Sequence, residues 1–195
     1  MYDDREEEGR KVQLLYADRM VQLLERLGLE SIATCKAIHC PHAFCISFTT
    51  KAGFKMAYSG DTRPNPAFRD LGMMGGRGPD LLIHEATMEH FMINDARIKK
   101  HSTMTEAVEE GEGMKAEFTL LTHFSQRYVS PIFLEEVNCT LSRYAKMPPL
   151  DEFSGRKQVG IAFDNMVVKP HQLKTIPGIY PALSRCQSCE REHEQ

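Results

Sequence analysis

Histidines and carboxylates at the ends of apolar runs are the residues of this chain that could hold a metal or move a proton. Ser31 to Ile38 runs into His39, Phe54 to Tyr58 into Ser59-Gly60-Asp61-Thr62, Leu81 to Ile83 into His84-Glu85-Ala86-Thr87, and Thr119 to Thr122 into His123. A short apolar run that stops at one polar side chain is how a buried parallel-type strand delivers a functional group at its carboxyl end. Ligands of open α/β sheets gather at those ends, so the four could converge on one site. Imidazole nitrogen and carboxylate oxygen bind Zn²⁺ at about 2.0 to 2.2 Å, and catalytic zinc keeps a position open. Asp61, on a glycine-flanked turn, is the candidate to bridge two metals roughly 3.5 to 4 Å apart, an arrangement that suits hydrolysis of a phosphodiester. Taken singly, a histidine after a strand is more often a satisfied structural residue; the set carries the inference.

The elements that must position these groups can be read in order. Val12, Leu15, Met20, Leu23, Leu24 and Leu27 recur at helical spacing up to a capping Gly28. Ile32 to Ile38 reads as a strand, and Ala43 to Thr50 and Phe54 to Tyr58 as a hairpin turning at Lys51-Ala52-Gly53. Asn65-Pro66 starts a short helix that stops at Gly72. The Gly75 to Pro79 loop lacks the spacing of a phosphate-cradling loop and precedes a strand from Asp80 to Ile83, so it reads as a surface turn. Thr103-Met104-Thr105-Glu106 has the form of a capping box and begins a helix to about Met114, with His101 and Ser102 just before it. Ala116 to Thr122 is the strand that ends at His123. Ser130-Pro131 starts a helix to about Tyr144, a loop covers 145 to 157, and Val159 to Phe163 with Met166 to Val168 form a closing hairpin around Asp164-Asn165. Prolines from Pro170 onward give an extended tail. Alternating strands and helices imply an α/β layered fold with mixed sheet pairing.

The bulk composition fits a soluble globular chain, with 42% hydrophobic and 26% charged residues and no apolar run near the membrane-spanning length of ~20 residues. A net charge of −3 exerts no general pull on nucleic acid, so an RNA partner needs a local basic patch or a metal site. Cys35, Cys40, Cys45, Cys139, Cys186 and Cys189 form no small disulfide framework and read as reduced thiols. Cys186-Gln-Ser-Cys189 with His193 is either half a zinc site or part of a frayed polar tail, since no second such pair completes it. Residues 1–9 read as a disordered acidic terminus, 10–183 as one catalytic-type unit and 184–195 as a tail.

In that order, Ser59-Gly60-Asp61-Thr62, His84-Glu85-Ala86-Thr87, His101-Ser102-Thr103 and His123-Phe-Ser-Gln-Arg-Tyr128 resemble the C-terminal catalytic part of the long form of tRNase Z, a family of zinc endonucleases of the metallo-β-lactamase superfamily. The likeness runs from about Leu23 to Leu183 and includes His39-Cys-Pro-His42-Ala-Phe44 and Val159 to Met166. It implies part of a metallo-β-lactamase αβ/βα sandwich that removes the 3′ trailer from precursor tRNA, in nucleus or mitochondrion, with two Zn²⁺ in a complete site. Residue by residue it implies His39 as ligand of one zinc, His123 of the other, and Asp61 between them. It makes His101 the proton donor and Glu85 the group that orients it. His84 and Thr87 are then structural, and His42 is a surface or neighbouring group. Arg63, Lys100 and Arg127 are candidates for phosphate contacts, with solvated surface charge as the default, and Asp164 is either an outer carboxylate or a turn residue.

One motif of that family, HxHxDH, is absent from these 195 residues. The ligand set is therefore short for both metals, and the chain is expected to bind zinc weakly and cleave little RNA unless a missing N-terminal half or a homodimer partner completes it. The rival expectation is a non-catalytic module that has kept the fold to bind RNA or a partner.

Overall fold

The computed structural model describes residues 18–124, 158–162 and 165–178. A helix, α1, covers 18–27 and ends at Gly28, whose N–H donates to the Glu25 carbonyl at 3.1 Å. Six strands follow in one sheet, in the spatial order of the sequence: β1 (Leu29–Lys36), β2 (Phe44–Thr50), β3 (Lys55–Tyr58), β4 (Leu81–Glu85), β5 (Phe118–Thr122) and β6 (Gln158–Ile161). β1, β2 and β3 are antiparallel neighbours, whereas β3 to β6 are parallel. The mixed sheet expected from the pattern is therefore present. The tight Lys51–Gly53 turn makes the β2–β3 pair antiparallel, and the parallel β3–β4 and β4–β5 pairs are joined by crossovers that contain helices, as parallel pairing requires.

Those crossovers begin at local capping chemistry. The helix α2 (Pro66–Gly72) links β3 to β4; Asn65 caps it by accepting from the Ala67 N–H, and Pro66 opens it. The helix α4 (Met104–Gly113), before β5, starts at a complete capping box in which Thr103 and Glu106 each accept from the other's backbone. Between β4 and α4 lies a further short helix, α3 (Ile93–Lys99), which the sequence reading does not contain. Only Ala96 of α3 is buried, so there is no apolar stripe to betray it.

Alternation along the strands divides the packing. Thr119 faces α4, where Gly111 comes so close that a Cβ on it would lie 2.2 Å from Thr119 Oγ1. Its neighbour Phe118 faces the other way, against Gly160 and Ile176. On the α2 side Cys45, Ala57 and Leu82 pack with Phe68, Leu71 and Met114. Leu173 and Ile176 join the second cluster with Phe118 and Val159.

Two expectations at the C-terminal end are corrected. Pro170 onward is not extended: Pro170–Thr175 is a 3-10 turn, because proline suits the first position of a helix and the turn buries Leu173. Nor is there a closing hairpin. β6 pairs in parallel with β5, and 166–169 adopts no strand. The helix expected at 130–144, the loop at 145–157 and both chain ends lie outside the described residues. Among the described residues no helix is long and apolar enough to cross a membrane.

Candidate metal centre

Strand register explains the convergence. Tyr58 pairs with Ile83 and Glu85 with Thr122, so the residues after β3, β4 and β5 leave the sheet side by side. β1 runs in the same direction as β3, since each is antiparallel to β2, so His39 leaves at that same rim. The loop after β1 is then tied down: Ile38 N–H donates to Thr62 Oγ1 at 2.9 Å, and Arg63 N–H to the Ile38 carbonyl at 3.3 Å.

Asp61 lies between two histidines. Its Oδ2 is 3.8 Å from His39 Nε2 and its Oδ1 is 3.6 Å from His123 Nε2. Both distances are too long for direct hydrogen bonds. They are close to the spacing of two donors on one tetrahedral ion, which at the usual bond lengths is roughly 3.4 Å. Gly60, at φ +55, makes the turn that carries Asp61 into this position, and a Cβ there would meet the Phe44 carbonyl at 3.3 Å. His123 itself sits at φ +60, uncommon for a residue with a side chain and a form of strain that clusters at functional sites.

The third histidine lies beside these two. His101 is 4.8 Å from His39 and 5.5 Å from His123 by ring centroids, and its Nδ1 is 2.9 Å from Glu85 Oε1. Glu85 is 1% exposed and surrounded by donors. Thr62 N–H reaches Oε1 at 2.7 Å, Ser102 N–H reaches Oε2 at 3.1 Å, and the Thr87 hydroxyl reaches Oε2 at 2.6 Å. Among the described residues two donor sets have spacing suited to an ion: His39, Asp61 and His101, and Glu85, His101 and His123. The second is the weaker candidate, because Glu85's oxygens are already taken by these donors. The first leaves Asp61 with its lone pairs available.

His39 is held from behind. Its Nδ1–H donates to the Lys100 carbonyl at 3.0 Å, and Lys100 Nζ donates to the His39 carbonyl at 3.1 Å. The Lys100 ammonium is thus engaged in supporting a histidine. Arg63 is half-buried beside the site, its Nε without a hydrogen-bond partner among the described residues. Arg127 and Asp164 lie outside the described residues, as do Cys186, Cys189 and His193. His42 is exposed at φ +66 and does not join the site, and Cys35, Cys40 and Cys45 are free thiols. His84 is fully buried, 6.0 Å from the Phe68 ring, and its Nδ1–H donates to the Glu85 carbonyl at 2.7 Å. Burial holds its pKa below the usual histidine value.

Thr87, structural by the resemblance, lies among the polar groups of the site. Its hydroxyl touches Glu85 Oε2, His101 Nδ1 at 3.3 Å and His123 Nδ1 at 2.8 Å. Only its place beside Glu85 hinted at this.

The sequence matches no family model. It is 42% identical over 176 residues to "Ribonuclease Z, mitochondrial" of Drosophila melanogaster, covering 88% of this chain and 20% of that one. It is 37% identical to "Zinc phosphodiesterase ELAC protein 2" of Mus musculus, covering 91% and 19%. The chain thus spans about a fifth of the length of these relatives. The structure superposes on a long-form RNase Z from yeast with a TM-score of 0.65 at 35% identity, over 86% of this chain and 21% of that one. It also shares its fold with YhfI of Bacillus subtilis, a metallo-β-lactamase fold protein, at a TM-score of 0.51 and 21% identity over 69% of this chain and 47% of that one.

Proposed function

We propose that this chain, homologous to a segment of the long-form ribonuclease Z proteins and built on the metallo-β-lactamase fold, carries one side of a zinc centre that removes the 3′ trailer from precursor tRNA. The observation that carries the reading is Asp61, whose two oxygens each face a different histidine at a spacing too long for a hydrogen bond and suited to a shared ion. His39 and Asp61 would hold one Zn²⁺, and His123 and Asp61 the other. When bound, such a pair supplies Lewis acidity toward a phosphodiester and a nucleophile near neutral pH.

The chain's own contribution is position and a proton. Glu85 engages His101 Nδ1, which leaves Nε2 to give a proton to the departing 3′-oxygen. The tRNA then ends in a 3′-hydroxyl and the phosphate stays on the trailer. Two donors per ion are fewer than the three protein ligands usual for catalytic zinc, so the set fits as a part that further donors complete. We place its work in the nucleus, the mitochondrion or both, the second in keeping with the fly relative's name.

The test is cleavage of a precursor tRNA with a 3′ trailer by the 195-residue chain, alone and with a fragment bearing an HxHxDH motif. Zinc-dependent cleavage at the trailer junction in an assembled mixture is expected, with little from the chain alone. An assembled mixture without cleavage would instead favour the non-catalytic binding module.

A further inference from the structure

The hydrogen-bond inventory around Thr87 goes one step beyond the proposed function and rests on that reading only for its consequence. A hydroxyl has one proton to give. Glu85's oxygens collect the N–H groups of Thr62 and Ser102, both obligatory donors, so this carboxylate is arranged to accept. The 2.6 Å contact from Thr87 Oγ1 to Glu85 Oε2 therefore uses the hydroxyl proton, and Thr87 Oγ1 can only accept from its other neighbours. His123 Nδ1, at 2.8 Å, must be the donor.

We propose that Thr87 is a positioning residue that fixes the tautomer of His123: its hydroxyl, committed to Glu85, receives the His123 Nδ1–H and leaves the Nε2 lone pair directed at Asp61. The same logic operates on His39, whose Nδ1–H is claimed by the Lys100 carbonyl. Both histidines flanking Asp61 thus present Nε2 as a lone pair, the form in which imidazole binds a metal. For His123 the anchor matters more, because that residue is about half exposed and stands on a backbone with φ +60. Through Thr87, Glu85 holds two histidines at once: His101 directly and His123 by way of the hydroxyl.

The experiment is long-range ¹H–¹⁵N NMR of the histidine rings in the metal-free full chain near pH 8, where imidazole is neutral, on the wild type, Thr87→Ser and Thr87→Val. Wild type and Thr87→Ser are expected to show His123 as Nδ1–H, and Thr87→Val to shift it toward the Nε2–H form that free imidazole favours in water. The His39 ring, held by Lys100, should keep its tautomer in all three and so reports that the variants are folded. In the assembled, zinc-loaded enzyme, zinc affinity should fall roughly 10- to 100-fold in Thr87→Val and recover in Thr87→Ser. An Nε2–H His123 in the wild type overturns the proposal whether or not Thr87→Val folds, as does an unchanged tautomer in a folded Thr87→Val. Because the tautomer is read without zinc or RNA, its failure is distinguishable from failure of the proposed function.

Discussion

At the scale of single residues, two histidines that hydrogen-bond to Glu85, one to its backbone and one to its carboxylate, stand in opposite settings. His84 is enclosed beside Phe68, whereas His101 reaches the surface side of Glu85 and remains available to a substrate. In an assembled enzyme, His101→Ala is therefore expected to lower kcat by about 100-fold or more while KM moves little, because a proton donor acts only in the transition state. A loss confined to KM would count against His101 as the donor. The cysteines give a second contrast. Burial, and next the neighbouring Cys35, push the Cys45 thiol up to about 12, whereas Cys40 is exposed. Brief alkylation at pH 8 followed by peptide mapping should label Cys40 well before Cys45. Equal labelling would mean that β2 opens far more readily than its packing allows.

At the scale of elements, the close approach of α4 to β5 depends on Gly111. Alanine there would gain about 1 kcal/mol of helix propensity. It would also drive a Cβ to within 2.2 Å of the Thr119 hydroxyl, itself buried, and overpacking of that kind costs about 1 to 3 kcal/mol. Gly111→Ala should consequently lower the urea midpoint, and adding Thr119→Ala should restore much of it. A Gly111→Ala variant as stable as wild type would mean that helix and strand separate freely. The elements legible in the sequence are those begun or ended by local chemistry: the Asn65 cap, the Thr103 capping box, the hairpin at Gly53. Elements defined by distant partners were not. α3 has a single buried residue and hence no period to read. The 170–175 turn was hidden because Pro170 and the prolines after it read as extended chain, when Leu173 and Ile176 in fact close over Phe118. The candidate site divides in the same way. Asp61, His39 and His123 stand at strand ends, where pattern alone places them. The part played by Thr87 depends on His123 arriving from another strand, 36 residues away.

At the scale of the molecule, the sheet brings its functional ends to one rim, and stability is linked to pH through the histidine buried beneath that rim. His84 has a folded-state pKa below its unfolded value of about 6.5, because burial disfavours the charged ring. Above that pH the ring is neutral in both states and carries no penalty. Below it, the unfolded chain takes up a proton that the folded chain resists, so stability declines as pH falls. Denaturation midpoints at pH 7.5 and 5.5 should therefore differ more for wild type than for His84→Gln; parallel curves would contradict this role. At the rim itself, the proposed function has the Asp61 carboxylate shared between two ions. The most direct test is the zinc content, by equilibrium dialysis and elemental analysis, of the chain assembled with an HxHxDH-bearing fragment, as wild type and as Asp61→Asn. Two zinc ions per wild-type complex are expected, with loss of one or both in an assembled Asp61→Asn complex. Two tightly held ions in that variant would show that Asp61 does not bridge them.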